Sequence, residues 1–133
     1  DYPDSDHQPK TPLRIFEKTY ARVINKVREM GCTPLIMSLP PMDAQQYFNF
    51  FTSNFNDTQK SNVLKWLHGS VNTIWAGHEL YNDAVKRVAS ATDCVLIDCT
   101  TTLGDGKNYL CDDGIHPNLA GQSKIASIIL RNT

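Results

Sequence analysis

Apolar side chains recur at three- and four-residue steps through Leu13, Phe16, Tyr20, Val23, Ile24, Val27 and Met30. That spacing places them on one face of an α-helix, and Gly31 ends the pattern. Residues 34–39 then form a short, continuous apolar run cut by Pro40 and Pro41. A run of that length without alternation predicts a strand buried on both faces of a parallel sheet. Helical periodicity returns from about Ser70 to Ala91, with Val71, Ile74, Trp75, His78, Tyr81, Val85 and Val88 along one stripe. A second buried strand is predicted over 94–97, ending at Asp98, and a last helix runs to about Leu130. Residues 42–69 are less regular and rich in aromatics: Phe48, Phe50, Phe51 and Phe55 are four of the five phenylalanines, with Tyr47 beside them. Residues 1–12, rich in proline and aspartate, read as a loop or tail.

The predicted order is helix, strand, helix, strand, helix, without internal repeats. It is the pattern of an α/β domain in which each parallel strand is followed by a covering helix. Residues 1–133 are read as one domain, with 42–69 as an insertion. Two parallel strands alone leave open edges and do not hold together in water. Further strands are therefore expected to precede this segment of chain.

Composition narrows the function classes. Lys and Arg number 13 against 14 Asp and Glu, for a formal charge of −1, and no basic run occurs. A nucleic-acid partner is not expected from such a balance. The apolar fraction of 41% argues against a disordered chain, and no apolar run is long enough for a membrane span. The sequence opens Asp1-Tyr2-Pro3-Asp4 with neither Met nor a leader, so a native start is not expected here and the compartment is not indicated. Cys32, Cys94, Cys99 and Cys111 follow no metal-binding spacing and read as buried thiols, with Cys99 and Cys111 the pair to test for a bridge.

The most informative stretch is Asp113-Gly114-Ile115-His116-Pro117-Asn118. A carboxylate three residues ahead of a histidine meets the imidazole Nδ1 if the chain turns tightly, and Gly114 permits such a turn. The carboxylate then holds the tautomer, and the outer nitrogen is free to take a proton from a nucleophile. The plain alternative is a capped loop carrying a surface histidine. Asp112 competes with Asp113 for the same role, and the three-residue spacing favours Asp113.

Residues 109–121, Tyr-Leu-Cys-Asp-Asp-Gly-Ile-His-Pro-Asn-Leu-Ala-Gly, resemble the C-terminal block of the GDSL/SGNH hydrolases, where Asp-x-x-His-Pro-Asn supplies two members of a Ser-His-Asp triad. Residues 79–85 and 94–98 are similar to that family's penultimate helix and last strand, and 35–41 to its fourth strand, which often ends in Pro-Pro. The resemblance spans about residues 13–130. It implies the C-terminal part of a doubly wound, three-layer α/β/α, flavodoxin-like fold with parallel strands. It also implies a serine esterase or deacetylase acting on small acyl esters, of acetylated carbohydrate or lysophospholipid type, with His116 as base and Asp113 as its orienter. No cofactor or metal is implied.

The family's Gly-Asp-Ser nucleophile block and its Gly and Asn oxyanion donors have no counterpart in this sequence. Ser70 sits where a helix cap belongs, and Ser38 lies within a predicted strand. By the resemblance the nucleophile lies in a missing N-terminal half or a swapped neighbouring chain, and this chain alone is expected to be nearly inert. A rival reading, from another class, is a non-catalytic α/β interaction or carbohydrate-binding module that keeps the Asp-x-x-His loop as structure.

Other polar candidates have simpler readings. His78 falls on an apolar stripe as a hydrogen-bonded core residue, His68 beside Gly69 suits a helix end, and His7 lies in the tail. Cys99, Cys111, Asp113 and His116 do not have zinc spacing. Asn82 resembles a recurrent family asparagine, a candidate for substrate contact or for a hydrogen bond between elements. Phe50 and Phe51, in the aromatic cluster Tyr47–Phe55 that follows the fourth-strand equivalent, are candidates to line an acyl or sugar pocket or to form a mobile lid, with a small satellite core as the alternative.

Overall fold

The computed structural model describes residues 9–133, so His7 and most of the predicted tail lie outside the described residues. The chain runs α1 (Leu13–Glu29), β1 (Leu35–Met37), α2 (Ala44–Phe51), α3 (Asp57–Trp66), α4 (Asn72–Ala91), β2 (Val95–Ile97), α5 (Cys99–Leu103) and α6 (Leu119–Asn132). It is a mixed α/β structure. Among the described residues β1 and β2 make one parallel pair, with Leu35, Ile36 and Met37 opposite Val95, Leu96 and Ile97.

Alternation along the strands divides the core. Ile36 and Leu96 pack with Ile24 of α1 and Val85, Val88 and Ala89 of α4. Met37 and Ile97, one residue on and so on the opposite face, pack with Leu103 of α5 and Ile125 and Ile128 of α6. Helices thus cover both faces of the strand pair, and α1 and α4 are each other's main partners. Arg28, near the end of α1, donates to the carbonyls of Thr92 (2.6 Å) and Asp93 (3.3 Å), closing the C-terminal end of α4.

Both strands are shorter than their apolar runs, because each finds hydrogen-bonding partners only over three residues. Ser38 N still donates to Ile97 O at 3.0 Å before the chain turns away. The α4 stripe is enclosed only in its second half: Asn82, Ala84, Val85, Val88 and Ala89 are buried, while Trp75 is half exposed. Ser70 Oγ accepts from Asn72 N at 3.2 Å, so the serine serves the start of α4 from two residues upstream.

The reading of 42–69 as less regular is corrected. It holds two helices, each started by a side-chain cap: Asp43 Oδ1 accepts from Gln46 N, and Asn56 and Gln59 form a reciprocal capping box. An Asn-x-x-Gln signature marks such a start, and the aromatic run masked it. The cysteine reading changes too: all four thiols are free, with Cys99 buried, Cys94 half-buried and Cys32 and Cys111 exposed. The exposed pair belongs to a helix-end turn and a loop that the apolar count does not distinguish from core. No helix among the described residues is long and apolar enough to cross a membrane, and none of their His, Cys, Asp and Glu side chains form a cluster that could hold a metal ion.

Candidate active site

The site is built on the segment between α5 and α6. Leu110 and Pro117 face each other in an antiparallel bridge, flanked by bonds from Cys111 N to His116 O (2.7 Å) and from Asn118 N to Tyr109 O (2.8 Å). Asn118 closes this narrow loop from its base. Its Oδ1 caps α6 by accepting from Gly121 N, while Nδ2 donates to the carbonyls of Asn108 and Leu110. Gly121 lets the helix approach closely: a Cβ there would stand 2.3 Å from Tyr109 O, which no other residue could tolerate without a shift.

The first turn of α2 holds the loop from the side. Asp43 N donates to Gly114 O at 2.8 Å, and Gln46 Nε2 donates to Cys111 O at 3.1 Å. Gly114 has φ +75°, and a Cβ on it would lie 2.8 Å from Asp43 O and 2.9 Å from Tyr47 N. Conformation and space both require glycine at that point.

Within this frame the Asp113 carboxylate makes three contacts with the turn. Oδ1 accepts from the backbone of Ile115 and of His116, each at 3.0 Å, and Oδ2 lies 2.5 Å from His116 Nδ1. The Asp113 side chain is 16% exposed and that of His116 72%, so the imidazole's outer edge opens to solvent. The neighbouring Asp112 is exposed. The bond from the His116 side chain, then those from the His116 and Ile115 backbone, hold the Asp113 carboxyl down to about 2. A depressed folded-state value means that this stabilisation is present above the ordinary carboxylate range near 4 and is lost as pH falls through about 2. A carboxyl-carbon NMR titration is expected to place the Asp113 midpoint near about 2, and a midpoint at the ordinary value would refute the pairing.

A second polar cluster lies at the C-terminal ends of the strands. Ser38, 1% exposed, donates to Asp98 Oδ1 and accepts from Thr100 N at 3.0 Å. Thr100 Oγ1 donates to Leu39 O at 2.6 Å and accepts from Asn82 Nδ2 at 3.1 Å. Asn82 is fully enclosed, and its Oδ1 accepts from Leu39 N at 2.8 Å. Both ends of its amide are therefore committed within the fold, which places Asn82 between elements and not at a substrate-facing surface. Burial, with the Asp98 charge, pushes the Cys99 thiol up to about 11, so Cys99 supplies no thiolate here.

The aromatic candidates separate. Phe51 lines a cavity of about 430 Å³ between α2, α3 and the start of α4, together with Tyr47, Val63, Trp66, Leu67 and Ile74. Phe50 is 55% exposed and stands outside it, because adjacent residues of a helix face different directions. His78 is half-buried, with Nδ1 3.3 Å from Glu79 Oε1, and lines a separate cleft with Phe16, Leu39 and Tyr81. His68 is exposed with φ +55° just after α3.

Sequence reasoning found the Asp113–His116 pair but missed what holds it. Asn118 carried a signal, since asparagine directly before a helical run is a cap. Asp43 and Gln46 carried none, because their partners lie far along the chain. Comparison with family models, curated proteins and solved structures returns no match for this chain.

Proposed function

We propose that this chain carries the Asp-His part of a GDSL/SGNH-type serine hydrolase acting on acyl esters. The observation that carries the reading is Asp113 Oδ2 at 2.5 Å from His116 Nδ1, with the rest of the imidazole open to solvent. A carboxylate at Nδ1 keeps the proton there and leaves Nε2 with its lone pair outward. In the proposed reaction a serine from a preceding segment or a neighbouring chain attacks the acyl carbon and gives its proton to Nε2. His116 then protonates the departing alcohol, and water, activated by the same nitrogen, releases the acid. No cofactor takes part in this scheme.

The strand pair supports the wider arrangement. Leu35 and Val95 are 39% and 50% exposed, and of the two strands α6 packs on β2. Apolar residues exposed at the strand starts, on a pair with no third strand among the described residues, suit further parallel strands and helices of a doubly wound, three-layer α/β/α sheet. The rival reading, a non-catalytic binding module, draws on the two backbone bonds to Asp113 Oδ1, which would order the turn without any chemistry.

The chain and its His116→Ala variant are expected to hydrolyse p-nitrophenyl acetate at the same background rate. A rate above background that vanishes in the variant would place a nucleophile within these 133 residues and overturn the divided site.

A further inference from the structure

The cavity between α2, α3 and α4 differs in chemistry from the polar loop beside it. Its walls are the side chains of Tyr47, Phe51, Val63, Trp66, Leu67 and Ile74, with no charged residue among them. Its polar side-chain groups are the Tyr47 hydroxyl, the Trp66 indole N–H and the Thr73 hydroxyl, the last already donated to Leu67 O at 2.7 Å. The Tyr47 and Phe51 rings lie 5.2 Å apart and tilted, forming one aromatic wall. A volume of about 430 Å³ falls within the range of small-molecule sites.

Tyr47 belongs to both regions. Its backbone amide abuts Gly114 in the Asp113–His116 loop, while its ring faces the cavity. The first turn of α2 therefore anchors the histidine loop with its backbone and walls the cavity with a side chain. We infer that this cavity receives the aliphatic acyl chain of the substrate, making the preferred ester one of a linear, medium-length fatty acid. This assignment rests on the hydrolase reading for the word substrate, but the cavity's preference for an alkyl chain does not. A sugar would bring several hydroxyls against walls that are mostly hydrocarbon, where Tyr47, Trp66 and Thr73 are the only lining residues with polar side-chain groups, and each hydroxyl buried without a partner carries a cost. An acetyl group would leave most of the space unfilled.

The test is a titration of the 133-residue chain with neutral n-alcohols from butanol to decanol, followed by amide and indole NMR shifts. Affinity is expected to tighten about fourfold per added methylene until the cavity is filled. The shifts are expected to gather at Tyr47, Phe51, Val63, Trp66 and Ile74, and N-acetylglucosamine is expected to move none of them. Ile74→Trp, which fills the space, is expected to weaken decanol binding at least about tenfold. Val63→Trp, from the facing helix, gives the same test if the first variant does not fold. Affinity independent of chain length, shifts lying elsewhere, or saturable sugar binding would overturn the inference. Chain-length-dependent binding combined with a His116-independent hydrolysis in the nucleophile-bearing protein would instead remove the hydrolase reading and leave an alkyl-binding site.

Discussion

On the hydrolase proposal, His116→Ala is expected to lower kcat about 10⁴-fold or more, with KM little changed, in a protein that joins this chain to a nucleophile-bearing segment. In that proposal the imidazole acts on the proton in flight, so its loss falls on the transition state and not on substrate binding. Asp113→Asn is the sharper experiment. An asparagine Oδ1 can still accept from Ile115 N and His116 N, as the carboxylate does at 3.0 Å, so the turn is expected to survive. The atom facing His116 Nδ1 would become an amide donor and favour the wrong tautomer. A loss of roughly 10³- to 10⁴-fold in kcat at unchanged melting temperature is expected from that change alone. Full activity in Asp113→Asn would favour the view that the loop is only structural.

The largest effect on stability is expected at Asn82, which makes no hydrogen bond to the Asp113–His116 loop. Asn82→Leu keeps the approximate volume, but it removes the acceptor for Leu39 N and the donor to Thr100 Oγ1. Leu39 N–H then faces an enclosed site without a partner. A loss of about 3 kcal/mol is expected, near 10 °C in melting temperature for a domain of this size. Thermal and urea unfolding of the purified chain measure it. A loss below about 1 kcal/mol would mean that water replaces the amide and that the cluster does not tie β1, α4 and α5 together.

What could be read from the chain follows the range of the forces involved. The long helices were visible because burial imposes a period on local sequence, as in Phe16, Tyr20 and Ile24 or in Val85, Val88 and Ala89, and both strands because burial on two faces leaves a short unbroken apolar run. The Asp113–His116 contact was visible for the same reason, since three residues separate its partners. Asn82 and Thr100 were not legible as a pair because their partners come together only after the sheet has formed. Residues 42–69 were read as less regular because four phenylalanines dominate the pattern, while two caps, Asp43 and Asn56, decide the helices. Exposed Trp66, Trp75 and Phe50 show the limit of any hydrophobic stripe: half of a helix can follow the period and still face solvent.

The pairing of β1 with β2 joins residues that are distant in the chain, and Ser38 and Asp98 at its end are 60 apart. Closing so long a loop costs entropy before any ladder bond forms, whereas α2, α3 and α4 can each begin from local contacts. Assembly is thus expected to place helix formation early and strand docking late. During that interval two apolar ribbons with unpaired backbones are available to other molecules, and their mutual recognition competes with folding in proportion to concentration. Refolding yield, more than the rate at low concentration, is where this strand order makes itself felt: dilution or prompt docking of a covering segment protects the chain from aggregation.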